Sequence, residues 1–556
     1  MNTNFIKLAF VTILGASHCA RAASEFDGAP PQNETNSASA GEDVRLTPPA
    51  PREPRINGPK VYGVRPGSPL LYRIPCTGER PLTFRADNLP AGLALDSQSG
   101  ILTGSLPRPA AIPANVKGAY LLTHSRVPGD YLVTLHAQNS FGSAAKKFRI
   151  ICGDRLALTP PMGWNSWYIH YNRVTGAAVR NAADQMIATG MADFGYQYVN
   201  IDDCWMKKRG DVPYCDADGA MLPNGKFPDM KGLAGYIHGQ GLKAGLYTSP
   251  GPWTCTGYVG AYQHEAADAK KFADWGFDFL KYDWCSYGGK AGGKTVEHLQ
   301  KPYRMMGNEL QKLDRDIVFN LCQYGMGDVW KWGGEVGNCW RTTGDLGLER
   351  GAGLPAFYGI AMSNERHWEY ARPGAWNDPD YILIGWVGDA HGMGEGRKTT
   401  LTPDEQYSYM SLWSLMAAPL IFSGDMARLD AFTLNVLCNA EVIEVDQDPL
   451  GRQAKILRQT ADEYVLVKEL EDGSKAAGLF NLSSLPRKIS VTWNELGVSG
   501  TRRVRDLWRQ QEIGVFDQAF EIEVPGHGVT LVLVRPEMQR KSKLPSVAAA
   551  SLPEVK

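Results

Sequence analysis

No uninterrupted apolar run of about 18 residues occurs anywhere in this 556-residue chain, so no membrane span is expected. Nor is one sign of charge in surplus. Lys and Arg number 58 against 59 Asp and Glu, a formal net charge of −1, which argues against a nucleic-acid footprint and its clustered positive excess. Cys-x-x-Cys pairs and His/Cys clusters with zinc spacing are missing, so no metal is expected. A Gly-rich phosphate loop is missing too, which leaves phosphoryl transfer without a motif and points to no cofactor. What is present is ordinary in bulk, at 43% apolar and 21% charged, and fits a soluble chain of three or four domains. The 15 Trp, 23 Tyr and 60 Gly suit β-rich folds and sugar-facing clefts.

The amino terminus reads as an export signal over residues 1–22. Lys7 precedes the apolar Leu8–Ala16, and Ala20-Arg21-Ala22 offers a cleavage site. His18 directly before Cys19 makes lipidation unfavourable, so the expected location is secreted or periplasmic. Some of the remaining cysteines should then be oxidised. By position, Cys76 with Cys152, Cys204 with Cys215, Cys255 with Cys285 and Cys322 with Cys339 are candidate pairs, and Cys438 is left over.

Residues 23–57 have the Pro/Ala/Ser/Asn/Glu composition of a disordered linker. From 58 to 153, short alternating runs such as Leu70–Ile74, Leu82–Ala86, Gly129–Leu135 and Ala145–Ile150, split by Pro/Gly turns, read as a β-sandwich. This module resembles the immunoglobulin-like modules appended to exported bacterial enzymes. From 154 to 445 the pattern alternates strand and helix. Eight candidate strands, from Met162–Trp164 to Pro419–Phe422, with helical stretches such as Ala177–Gly190 between them, predict a (β/α)8 barrel. Alternation returns over 446–536, a second β-sandwich, and 537–556 reads as a flexible tail. The fold class is thus a TIM barrel flanked by two β-sandwiches.

A barrel carries its reactive groups at the carboxyl ends of its strands. The second expected strand ends in Asp202-Asp203-Cys204-Trp205 and the fourth in Lys281-Tyr282-Asp283-Trp284-Cys285. The sixth ends in Trp340-Arg341-Thr342-Thr343-Gly344-Asp345 and the seventh in Trp376-Asn377-Asp378-Pro379-Asp380. A lone aspartate there is a cap or a turn residue; that explanation is strained for four strands at once. Carboxylates, aromatics and cations on one rim, without a metal motif, fit glycoside hydrolysis. One carboxylate attacks the anomeric carbon while another protonates the leaving oxygen.

Together with Pro160-Pro161-Met162-Gly163-Trp164-Asn165-Ser166-Trp167, these four motifs resemble the series of glycoside hydrolase family 27, over about residues 155–535. This family comprises the α-galactosidases and α-N-acetylgalactosaminidases. The resemblance implies a retaining exo-glycosidase that removes terminal α-galactose from oligo- or polysaccharides. It implies Asp283 as nucleophile and Asp345 as acid/base, with carboxyl groups about 5–5.5 Å apart. Trp164 would be the aromatic floor, and Asp202 and Asp203 the clamp on the hydroxyls at C4 and C6. Tyr247, Lys281, Gln323, Arg341 and Asp380 would be further sugar contacts. Cys255–Cys285 and Cys322–Cys339 would be disulfides. Lys281 is expected to lower the Asp283 pKa. The chain departs from the family in Cys322-Gln323-Tyr324, where Cys-Glu-Trp is usual, and in Trp284, where Asn is usual. The sugar therefore stays open among galactose, β-L-arabinopyranose and α-N-acetylgalactosamine, beside a non-catalytic carbohydrate-binding protein as the alternative of another class.

Overall fold

A computed structural model describes residues 44–107, 129–347, 353–388 and 396–537. The expected signal, most of the linker and nearly all of the tail lie outside the described residues.

At the centre are eight parallel strands: β1 (Met162–Asn165), β2 (Tyr198–Asn200), β3 (Lys243–Thr248), β4 (Phe279–Asp283), β5 (Val318–Cys322), β6 (Cys339–Arg341), β7 (Trp376–Asp378) and β8 (Leu420–Phe422). They pair in sequence order, and β8 returns to β1. A parallel bridge between Ile382, just beyond β7, and Phe422 closes the ring. Every residue of these strands is buried, as parallel strands covered by helices require. Charged residues inside them, such as Lys281 and Asp283, are therefore anomalies that need partners.

The helices follow local rules. Thr175 caps Gly176–Ala188 by accepting from the Ala178 N–H, and Asp229 caps Met230–Gly239 through Gly232. Thr402 and Glu405 form a reciprocal capping box on Pro403–Leu415. That last helix is buried on almost all sides because the carboxyl-terminal strands cover its outer face. Its Ser408 and Ser411 hydroxyls meet the His527 carbonyl and the Trp508 indole N–H. The outer strands form a six-stranded sheet that includes Glu463–Glu469, Lys475–Asn481 and Val529–Pro536, with a two-stranded sheet against it. Val465, Leu479, Ile489, Val491 and Phe520 share the core between them.

The amino-terminal module has a four-stranded sheet (Val61–Val64, Gly142–Cys152, Asp130–Asn139, Thr83–Asp87) and a three-stranded one (Leu70–Arg73, Ile101–Gly104, Leu93–Leu95) over a core of Tyr72, Phe84, Leu102, Phe148 and Ile150. It docks at the amino ends of the barrel strands, away from the rim of carboxylates. Arg65 pairs with Asp316 at 2.7 Å, just before β5, and Lys243 at the start of β3 donates to the Tyr62 hydroxyl. Residues 44–57, expected within the linker, are held at both ends, with 48–53 exposed between them. The Leu46 N–H donates to the Tyr407 hydroxyl at 2.8 Å, the Thr47 N–H to Asn435 at 3.0 Å, and Arg55–Ile56 pairs with Cys76–Thr77. Composition hid this because the segment gains order only by adding to surfaces supplied by distant residues.

Candidate active site

Asp283 closes β4 and is buried at 6% exposure. Each of its oxygens accepts a phenol: Tyr324 donates to Oδ1 at 2.5 Å and Tyr247 to Oδ2 at 3.1 Å. Two residues back on the same strand, Lys281 shares its face and donates to Asp202 Oδ2 at 2.9 Å. The same Asp202 oxygen accepts from the Asn165 amide at 2.9 Å and the Tyr381 hydroxyl at 3.2 Å. Asp203 turns the other way, accepting the Thr256 hydroxyl at 2.6 Å and the Cys204 N–H at 2.7 Å. Strands β1, β2 and β4 thus converge on one buried network of charge.

A second network lies across β6 and β7. Arg341 Nη2 reaches Asp345 Oδ1 at 3.1 Å and Asp380 Oδ2 at 3.2 Å. Asp380 is buried, left-handed at φ 87°, and also accepts the Tyr168 hydroxyl at 2.8 Å and the Leu346 N–H at 2.9 Å. Asp345, by contrast, has a side chain 57% exposed, so Arg341 ties a fixed carboxylate and an open one together. Burial and proximity act on the titrations. Burial pushes the Asp283 carboxyl up and outweighs the pull of Lys281 and the Tyr324 hydrogen bond, with Asp345 and Asp202 adding to the rise. The expected lowering by Lys281 is present but does not set the sign. Burial also raises Asp203 to about 6, despite hydrogen bonds from Thr256 and Thr254. For Lys281 burial works against the charge, but Asp202 prevails and holds the ammonium well above its usual range.

The remaining expected positions fall out differently. Gln323 is fully buried beside β5, and neither end of its amide has a hydrogen-bond partner among the described residues; the same holds for Arg341 Nε and Thr343 Oγ1. Trp164 is fully buried with its indole N–H on the Gly424 carbonyl at 2.9 Å, so as placed it offers no open ring face as a floor. Cys255 and Cys285 form a disulfide with Cα atoms 5.0 Å apart beside Asp283, so their sulfurs offer no thiolate to an ion. Cys322 and Cys339 carry free thiols, which corrects the second expected bridge. Cys339 lies opposite Asn320. That sets Cys322 two residues further along, with Cα atoms roughly 8 Å apart by strand geometry, beyond the ~7 Å a disulfide spans. Asn165, Tyr324 and Tyr381 complete the site without having been singled out. Asn165 lies within a quoted motif and Tyr381 adjoins one, while Tyr324 sits in the departure after β5, but only the fold shows which carboxylate each one meets.

A closed parallel barrel with paired carboxylates and cations at the carboxyl ends of its strands belongs to the barrel hydrolases that work on sugars. Residues 159–448 match the family described as Alpha galactosidase A, and residues 461–534 match the alpha galactosidase C-terminal beta sandwich domain. The α-galactosidase of Cyamopsis tetragonoloba is 36% identical over 393 residues, 70% of this chain and 89% of its own. A solved structure from Bacteroides fragilis superposes with a TM-score of 0.77 at 34% identity, covering 89% of this chain and all of that one. A family 27 β-L-arabinopyranosidase from Geobacillus stearothermophilus gives 0.60 at 26% identity, over 69% of this chain and 97% of its own. The chain belongs to the alpha-galactosidase A family, glycoside hydrolase family 27.

Proposed function

We propose that this protein is a retaining α-galactosidase that releases terminal α-linked galactose from oligo- or polysaccharides. The observation that carries the reading is the pairing of a buried Asp283, flanked by Lys281, with an open Asp345 held by Arg341 on the same rim. In the first step an Asp283 oxygen bonds to C1. The bond from C1 to the leaving oxygen breaks, and that oxygen keeps the electron pair and takes the proton of Asp345. In the second step Asp345 takes a proton from water as the water oxygen bonds to C1. The bond to Asp283 breaks, and its electron pair returns to the carboxylate. Having given its proton to the leaving oxygen in the first step, Asp345 is the carboxylate available to act as base in the second. The expected carboxyl separation of about 5–5.5 Å belongs to this mechanism.

Asp202 and Asp203 are assigned to the hydroxyls at C4 and C6. Their joint presence favours galactose over β-L-arabinopyranose, which has no C6 hydroxymethyl group to hold. Tyr247, Lys281, Arg341 and Asp380 are assigned to further sugar contacts; Tyr247 also donates to Asp283, Lys281 to Asp202, and Arg341 to Asp345 and Asp380. The amide of Gln323, without a partner among the described residues, is assigned to the 2-hydroxyl. Residues 1–22 and the Cys255–Cys285 bridge support export. No helix among the described residues is long and apolar enough to cross a membrane. The test is hydrolysis of 4-nitrophenyl α-galactoside, with the matching β-L-arabinopyranoside and N-acetyl-α-galactosaminide alongside. Turnover of the galactoside by the wild type, and none by Asp283→Ala, is expected. Absence of turnover in both leaves only carbohydrate binding.

A further inference from the structure

The loop after β5 makes a contact that the proposed mechanism does not yet use. Gln323–Met326 is a tight turn: the Met326 N–H donates to the Gln323 carbonyl at 3.2 Å, and both central residues have positive φ, Tyr324 at 63° and Gly325 at 85°. Gly325 has no alternative there, because a Cβ would lie 2.4 Å from the Thr342 carbonyl oxygen. Its N–H is fixed on the Arg341 carbonyl at 3.1 Å. Tyr324 could escape the left-handed region only by leaving this turn. An aromatic residue held there is strained, and such strain persists where the surroundings impose it. Its reward is placement: the phenol reaches Asp283 Oδ1 at 2.5 Å, with the ring near the Arg341 guanidinium at 5.8 Å.

We propose that Tyr324 is a positioning residue for the reaction, a fixed donor that holds one Asp283 oxygen so that the buried carboxylate stays ionised and aimed, and that receives charge back when the sugar leaves. The inference rests on Asp283 being the nucleophile. In attack, the Asp283 oxygen that bonds C1 gives up its charge; in hydrolysis of the ester, the electron pair of the broken C1–O bond returns to the carboxylate. Tyr324 keeps its proton in both steps and only donates a hydrogen bond. That bond is strongest to the ionised carboxylate, so it favours the free enzyme's carboxylate and the release of the sugar.

The setting of Asp283 makes this bond consequential. Facing the carboxyl are Lys281 on its own strand, Tyr247 from β3, Cys322 and Tyr303 from β5 and the helix before it, Asp202 beyond β2 and Asp345 beyond β6. Lys281 and the Tyr324 bond are the largest influences that oppose burial. A hydrogen bond to a charged group is worth enough to move such a pKa by about one to two units.

The experiment is the pH dependence of kcat/KM for 4-nitrophenyl α-galactoside in the full chain, comparing wild type, Tyr324→Phe and a chain carrying a fluorinated tyrosine at position 324. Tyr324→Phe is expected to shift the acid limb up by about one to two pH units, with a melting temperature close to that of the wild type. It should also show a pre-steady-state burst of nitrophenol as release of the sugar slows. The fluorinated phenol is a stronger donor that preserves the ring, and it should shift the same limb down. Acid limbs that coincide with wild type in both proteins overturn the inference. Asp283 is tested apart from this: if Asp283→Ala turns over normally, the nucleophile assignment fails, whatever the Tyr324 profiles show.

Discussion

Replacing Lys281 with Met takes a cation out of the centre of the site while keeping an unbranched stem. Lys281 Nζ lies 2.9 Å from Asp202 Oδ2, and the two side chains are 8% and 1% exposed. At an effective dielectric of about 20 the attraction at that separation is roughly 6 kcal/mol, and much of it offsets the desolvation of two ions. Removing one partner from such a pair leaves the other charged and buried, at a cost of about 3–5 kcal/mol. Asp202 would keep the Asn165 and Tyr381 donors, which places Lys281→Met near the lower end, about 3 kcal/mol. For a large domain that corresponds to a fall in melting temperature of about 6 °C. A double variant, Lys281→Met with Asp202→Asn, removes both charges and should recover most of the loss, because a neutral amide is cheaper to bury than a lone carboxylate. Both proteins should lose activity, through the acid limb for the first and the missing sugar contact for the second. Thermal melts followed by circular dichroism, with kcat/KM beside them, read the outcome. A single variant that melts with the wild type, or a double variant less stable than the single, refutes the reasoning.

Two further outcomes follow from groups around the barrel. Glu365 is fully buried against Gln453, and burial raises its pKa to about 8 from an ordinary value near 4.5. The folded chain then holds a proton that the unfolded chain has released, so this group's contribution to stability falls as pH rises between those values. Glu365→Gln, measured by melting temperature from pH 5 to 9, should flatten that decline; equal slopes in variant and wild type would count against it. The Cys255–Cys285 bridge closes a 30-residue separation, and chain entropy gives it about 3.5 kcal/mol. Cys255→Ser with Cys285→Ser should melt well below the wild type and lose activity, because the bridge braces the segment after Asp283. A reductant should leave the double variant's melt unchanged while lowering that of the wild type.

The barrel was legible because its signal is local. Apolar runs such as Phe277–Tyr282 and Pro419–Phe422 locate strands within two or three residues, and the polar cluster after each run marks the rim. The carboxylates and cations that the motifs named do assemble there. What sequence could not show depends on three-dimensional neighbours. Residues 44–57 look disordered until Tyr407 and Asn435 arrive from the far end of the chain. Cys322 and Cys339 look like a bridge until the parallel register sets them one layer apart. Lys281 looks like the group that sets the Asp283 titration until the burial of that carboxylate is weighed against it. Trp164 looks like a sugar platform by its motif, yet its ring is enclosed. Tyr324 stood out only as a departure from a pattern; its bond to Asp283 depends on a left-handed turn that sequence does not display.

The most direct test of the account is the mass of the protein during turnover. In Asp345→Ala, a substrate with a strongly activated leaving group needs no acid for the first step, while the second step lacks its base. A covalent sugar adduct should therefore accumulate, and peptide mapping of the quenched enzyme should place one hexosyl unit on Asp283. An adduct on another residue, or none while nitrophenol is still released in a burst, contradicts the central claim.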